Sequence, residues 1–228
     1  MKVLVTAGGT AEPIDGVRRI TNTSTGTTGG VIARAFAARG HAVVLIHAAD
    51  APLNDIDVDR EVFVTFADLE EALRRRLSEE RFDAVIHLAA VSDYSVASVE
   101  VNGRRFEGGR DGKIDSGHRV TLHLSPTPKL LDHLKSWSRN DAIQVVGFKL
   151  TNEPDRGARS HKVEGLIGRS SSDLIVHNDL SEITDDGHAA EVWTRQGPIV
   201  RTSTKAELAE VLLGLLEDEP TESEESRP

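Results

Sequence analysis

The sequence contains no cysteine, which excludes disulfides, thiolate metal sites and cysteine nucleophiles. Basic residues are outnumbered, 27 Lys and Arg against 37 Asp and Glu, for a formal net charge of −10. That balance argues against a general affinity for nucleic acid or for anionic membranes, so any phosphate site must be local. There is no run of about 18 apolar residues to span a bilayer. The opening MKVLVTAGGT goes straight into a strand pattern without a signal peptide's apolar region, and the expected location is cytoplasmic. Also missing are a G-x-x-x-x-G-K-[ST] phosphate loop, a G-x-S-x-G elbow and an H-E-x-x-H pair. The nine His residues are scattered, and none is assigned to a metal.

What is present reads as one α/β core. Short apolar runs at Val3–Thr6, Ala42–His47, Ala84–Ala89, Val120–Leu124, Ile143–Phe148 and Leu174–His177 have the length of buried strands. Segments of helical periodicity separate them, at Gly30–Arg39, Leu69–Glu80, Pro128–Trp137, Arg156–Ile167 and Ala206–Leu216. This alternation predicts a Rossmann-like, doubly wound and mainly parallel sheet with helices on both faces. EVWTRQGPIVRT reads as a small antiparallel addition around a Gly197-Pro198 turn. One domain is expected over 1–217, followed by an acidic, disordered tail over 218–228.

Two loops are long and follow predicted strands, roughly Ala7 to Thr28 and Val91 to His118. In open α/β sheets the ligand crevice lies at the carboxyl ends of the strands, so both loops fall where a ligand should bind. Gly8-Gly9-Thr10 can bring backbone N–H groups close to a phosphate or ribose, or can simply turn the chain. Ser24, Thr25 and Gly26 begin a run of hydroxyls and glycines ahead of a helix, a phosphate site if more than a cap. Asn22 offers an amide suited to a carboxylate or oxyanion, with an Asx turn as the structural alternative. Ala89 and Ala90 leave room for a base or ribose, and Asp93 suits a hydroxyl or hydrated Mg²⁺, or else caps a turn. Lys113 is a loop cation able to reach a polyphosphate, or merely solvated, and Asn178 and Asp179 mark a further strand end. The nicotinamide alternative is disfavoured, because no compact G-x-G-x-x-G opens the helix and no acid directly follows strand two.

Together TAGGTAEPIDGVRRITNTSTG, AAVSDY, GKIDSG, TPKLL, GFKLTNE and DLIVHNDL, in this order, closely resemble phosphopantothenoylcysteine synthetase, the phosphopantothenate–cysteine ligase of coenzyme A biosynthesis. The resemblance covers Met1 to about Leu216 and implies the stand-alone form, without a flavin-dependent decarboxylase domain. It implies a homodimer using 4′-phosphopantothenate, L-cysteine, Mg²⁺ and a nucleoside triphosphate, CTP in preference to ATP. The acyl carboxylate attacks the α-phosphate, pyrophosphate leaves, and cysteine's amine then displaces the nucleotide.

By position, the resemblance makes Asn22 and Lys113 catalytic, the latter on a loop that closes over the triphosphate. It places the nucleotide on Gly8, Gly9, Ala89, Ala90, Asp93, Phe148, Lys149, Asn178 and Asp179. Lys162 and Arg169 are the basic residues left for the triphosphate. Phosphopantothenate falls to Arg18, Ser24, Thr25 and Gly26, with Arg18 at the dimer interface. The chain departs from the family at Thr25, Thr28, Asp115 and Gly165. Asp115 lowers the loop's positive charge, and Gly165 stands where a lysine is usual. A non-catalytic nucleotide-binding homologue is the alternative that these thinned charges motivate, and a short-chain-type NAD(P) reductase is a weaker one.

Overall fold

The computed structural model describes residues 1–53, 55–109, 112–184 and 187–218. Strand β1 (Lys2–Ala7) is followed by a small hairpin of β2 (Ala11–Pro13) and β3 (Arg19–Thr21), helix α1 (Thr27–Ala38), and strands β4 (Ala42–Ala48) and β5 (Asp59–Phe63). Helix α2 (Phe66–Glu79) leads to β6 (Ala84–His87), after which come β7 (Tyr94–Val101), β8 (Arg104–Glu107) and β9 (Val120–Pro126). A 3₁₀ turn (Leu130–Asp132) and the one-turn α3 (Leu134–Trp137) precede β10 (Gln144–Thr151), α4 (Arg156–Arg169) and β11 (Leu174–Asp179). The hairpin of β12 (Ala190–Thr194) and β13 (Gly197–Thr202) is followed by α5 (Lys205–Glu217).

Eight strands form the main sheet in the order β13-β12-β11-β10-β6-β1-β4-β5. Those from β11 to β5 are parallel, and β12 and β13 add antiparallel at one edge. Central strands read as unbroken apolar runs because helices cover both faces: Val3, Leu4, Val5, Val85 and Ile86 are fully buried. Right-handed crossovers place α1 and α5 together on one face and α2, α3 and α4 on the other. The predicted doubly wound α/β architecture is the observed one.

Helix starts follow local chemistry. Thr65 with Asp68 and Thr204 with Glu207 form capping boxes on α2 and α5, and Asp155 accepts from the Ala158 N–H on α4. Helix α1 is the exception. It begins at Thr27, a turn earlier than periodicity predicts, behind Gly26 in the left-handed region (φ 73°), with no side-chain cap.

Several predictions differ: the two segments read as loops carry strands, β2 and β3 in the first and β7 and β8 in the second, and three predicted elements change. Val120–Leu124 is a strand, but it belongs to a separate antiparallel sheet ordered β8-β7-β9; none of its residues is buried, which suits a small solvated sheet and not the interior. The Pro128–Trp137 periodicity is divided between the 3₁₀ turn and α3, which bury Leu130 and Leu134 without one continuous helix. In the β12–β13 hairpin Thr194 pairs with Gly197, so Arg195 and Gln196 make the turn and Pro198 lies in β13. That is an edge strand, where a missing N–H is tolerated. Strand β5 carries too little apolar character to be anticipated. Of the expected tail, Asp218 closes α5 and 219–228 lie outside the described residues.

The two long loops are clipped together. The Asp15 carboxylate accepts from the N–H groups of Ile114 (3.0 Å), Val17 (2.9 Å) and Arg18 (2.8 Å). Arg18 pairs with Asp15 and donates to the Ile114 carbonyl, while the Gly16 N–H donates to the Gly112 carbonyl at 2.9 Å. These bonds, led by that of Ile114, hold the buried Asp15 carboxyl down at about 2.

A Cβ on Gly26 would lie 2.9 Å from the Gly8 nitrogen, whereas one on Gly214 inside α5 meets nothing within 4 Å. Gly26→Ala therefore loses about 1–2 kcal/mol to the left-handed backbone plus a similar overpacking cost. Gly214→Ala gains about 0.5–1 kcal/mol from helix propensity. Urea midpoints of the two variants should move in opposite directions; equal shifts would sink the packing argument.

Candidate functional site

The carboxyl ends of β6, β10 and β11, with the start of α1, surround a cavity of about 630 Å³. Its floor is set by small residues. The Gly8 carbonyl accepts from the Ala90 N–H (2.8 Å) and the Ala90 carbonyl accepts from the Thr10 N–H (3.2 Å), so β1 and β6 stay tied beyond their strand ends. Gly8 has φ 89°, and a Cβ there would lie 2.5 Å from the Ala48 Cβ. Asn22 Nδ2 donates to the Ala90 carbonyl at 3.0 Å, which lays the Asn22 loop along the β6 end. Since no side chain caps α1, its first N–H groups stand at the wall formed by Thr25, Gly26, Thr27 and Thr28. Of this hydroxyl run only Thr25 Oγ1 reaches a helical N–H, that of Thr27 at a long 3.5 Å, and the Thr28 and Gly29 N–H groups are left for an anion-accepting helix terminus.

Strand alternation sorts the opposite wall. Gly147 faces Leu131 and Ile175, and Ile175 packs with Val163 and Leu166 of α4. Lys149, two residues on, lies on that α4 face with Arg169, while Phe148 takes the other side. Burial, then the charge of Arg169, holds the Lys149 ammonium below the usual lysine range; Lys129 and Lys162 add to this and Asp93 partly offsets it. Such a crowd of cations in an acidic chain is relieved by a bound anion. Lys129 reaches across to pair with Asp93 at the rim, and Lys205 of α5 donates to Thr27 Oγ1 at 2.9 Å.

The cavity brings together Asn22, Ser24, Thr25 and Gly26 from the first loop with Ala89, Ala90 and Asp93 from the β6 end, and Phe148, Lys149, Arg169 and Asn178 from beyond. Other candidates lie elsewhere. Gly8 and Gly9 form backbone behind the wall. Lys162 pairs with Glu153 at 3.0 Å, and Arg18 serves the loop clip. Lys113 is exposed on the clipped loop, outside the cavity. Asp179 points to the face opposite its neighbour Asn178, where its carboxylate accepts from Thr151 Oγ1 (2.5 Å), the Ser181 N–H (3.0 Å) and the Glu153 N–H (3.1 Å). The Ser181 hydroxyl also donates to it at 2.6 Å, and these bonds, led by that of the hydroxyl, hold its pKa far below the carboxylate norm. Sequence reading missed Lys205, which nothing in its local sequence marks, and His87 and His188, which also line the cavity.

Residues 1–218 match the family model of the DNA/pantothenate metabolism flavoprotein C-terminal domain. The chain belongs to that family. A relative from Thermococcus kodakarensis, the coenzyme A biosynthesis bifunctional protein CoaBC, is 34% identical over 212 residues, 92% of this chain and 49% of the relative. The protein of the same name from Mycobacterium bovis is 42% identical over 86% of this chain and 45% of its own length. The chain thus spans about half the length of the curated relatives it matches. Among solved structures, the DNA/pantothenate metabolism flavoprotein from Streptococcus pneumoniae superposes with a TM-score of 0.82 at 29% identity, covering 95% of this chain and 98% of that one. A mutant Cab2 in complex with phosphopantothenate-cysteine shares the fold, with a TM-score of 0.73 at 20% identity over 95% of this chain and 86% of its own. No helix among the described residues is long and apolar enough to cross a membrane.

His87 supplies a pH test of this family's cavity. The ring is 6% exposed and shares a hydrogen bond with Thr6 Oγ1 at 2.9 Å, and burial pushes its pKa from 6.5 down to about 4. Between those values the unfolded chain binds a proton that the folded chain refuses. Its contribution to stability is complete above pH 6.5 and is lost as pH falls toward 4, about 3 kcal/mol in all. Urea unfolding at pH 7.5, 5.5 and 4.5 should show His87→Gln losing about 2–3 kcal/mol less than wild type across that window. Equal losses would show that other groups, such as His177 and His188, carry the slope.

Proposed function

We propose that the chain is a phosphopantothenate–cysteine ligase, joining 4′-phosphopantothenate to L-cysteine through an acyl-nucleotidylate, with CTP preferred over ATP. The observation that carries this reading is one cavity combining an amide, a helix start without an N-cap side chain and a group of converging cations, in a chain of this family. The reaction brings a carboxylate and a triphosphate together, and it requires positioning and charge neutralisation but no protein nucleophile. Cysteine-free composition is compatible with such chemistry.

Lys149 and Arg169 take the negative charge of the triphosphate, and the leaving pyrophosphate stays on them as the α-phosphorus–oxygen bond breaks. Asn22, held by the Ala90 carbonyl, orients the acyl carboxylate for attack on the α-phosphate. It then steadies the oxyanion that forms when cysteine's amine adds to the acyl carbon and the nucleoside monophosphate departs. Lys113 closes over the triphosphate from its loop, and the Asp15–Arg18 clip sets where that loop is anchored. Ala89 and Phe148 border the base, which their backbone groups select.

Asp93 and Asp132 are the carboxylates lining the cavity. Mg²⁺ arriving on a triphosphate needs only one or two such groups, so these residues fit it, Asp93 once Lys129 is drawn away. The metal when bound neutralises phosphate charge. The exposed Tyr94, Val120 and Leu124 around the β7–β9 sheet support a homodimer, and the enzyme works in the cytoplasm.

Purified protein with 4′-phosphopantothenate, cysteine and Mg²⁺ should release pyrophosphate with CTP, and more slowly with ATP. Release with neither triphosphate overturns the ligase reading. Asn22→Ala should lower turnover by about 10²-fold or more. Lys149→Met should chiefly raise the KM for triphosphate, and a Lys113→Ala variant with unchanged turnover would remove the closing-loop role.

A further inference from the structure

Lys205 stands apart from the other cations of the cavity. It is the first residue of α5, on the sheet face that α5 shares with α1, away from Lys149 and Arg169 on the α4 face. Its half-buried ammonium donates to Thr27 Oγ1 at 2.9 Å, at the first residue of α1. Among the described residues no carboxylate pairs with it, whereas Lys2, Lys129, Lys135 and Lys162 each have one. Glu207, half a turn on, is committed to the capping box.

A cation in the first turn of a helix opposes the macrodipole, and this one faces the positive ends of two helices, one of them uncapped. Local rules are broken in this way where a site requires it. His188 records the same excess of positive charge. Its ring lines the cavity, its Nδ1 is buried without a hydrogen-bond partner among the described residues, and burial followed by the charge of Lys205 pushes its pKa down. An anion beside Lys205 would relieve all three.

We propose that Lys205 is a phosphate-binding residue of this cavity, holding one phosphate group on the α1–α5 side while Lys149 and Arg169 hold another on the α4 side. The assignment rests on the ligase reading, in which both substrates carry phosphate. Either the monoester of 4′-phosphopantothenate or the triphosphate can supply the group at Lys205.

The test uses the full chain with Lys205→Met and Lys205→Arg, and Lys205→Gln, which keeps a donor to Thr27, should the Met variant lose its fold. The KM of each phosphorylated substrate is measured with the other saturating. A rise of about tenfold or more in the KM of one substrate, largely restored by Arg, supports the assignment, and the substrate affected names the source. When dephosphorylated pantothenate replaces the phosphorylated form, a monoester contact predicts that Lys205→Met no longer distinguishes the two. Both KM values staying within twofold of wild type overturns the proposal.

A second readout does not depend on turnover. Inorganic phosphate and pyrophosphate should shift the His188 imidazole resonances in wild type and not in Lys205→Met. If ligation fails while this Lys205-dependent shift persists, the ligase reading falls and the phosphate subsite stands. If ligation proceeds and neither the KM values nor the resonances depend on Lys205, only the subsite falls.

Discussion

The close approach of α1 to the ends of β1 and β4 is the constraint on which the rest of the molecule depends. A Cβ on Gly29 would sit 2.6 Å from the Ala7 Cβ, and one on Gly8 2.5 Å from that of Ala48. With hydrogen in those places the helix start drops onto the strand ends, and Gly26 can enter the helix in a left-handed conformation that spends no side chain on capping. The N–H groups thereby left open face the cavity. Larger residues would lift α1 away and separate the Asn22 loop from the β6 end, to which one amide bond now ties it.

Electrostatics works by concentration. A chain with net charge −10 repels anions at long range, yet Lys149, Arg169, Lys129 and Lys205 converge on one cavity. Many other basic side chains among the described residues are neutralised nearby, as Arg76 is by Asp59, Glu61 and Glu80. The low pKa of Asp15 and the depressed pKa of Lys149 are two sides of the same economy. One charge is satisfied by backbone donors and the Arg18 guanidinium and stabilises the loops, and the other is held where a ligand can reach it.

Much of this was legible from residues alone. The central strands are apolar on both faces, which only a covered parallel sheet explains, and glycine and hydroxyl runs after such strands point to the crevice. The segments beginning at Ala7 and Val91 do leave the main sheet, but they carry the β2–β3 hairpin and strands β7 and β8 where loops were expected; Asn22, Ala89, Asp93 and Asn178 do meet in one cavity. The partners of Arg18 and Asp179 were not legible. Both are polar residues in motif-like settings, but their charges are taken up by Asp15 with Ile114, and by Thr151, Ser181 and Glu153, through folding of distant or offset backbone. Strand alternation decides the second case, since Asn178 and Asp179 necessarily face opposite sides.

The sequence by itself determined the fold class, the central parallel strands with most of their covering helices, and the segments that border the site, because periodicity and turn chemistry are local properties. Only the tertiary structure decided that Val120–Pro126 leaves the main sheet, that the two long loops are clipped through Asp15, and that Lys205 arrives beside Thr27 from the far end of the chain. Those outcomes depend on which surfaces are buried against one another. A residue 178 positions away leaves no mark in the local sequence of the site it enters.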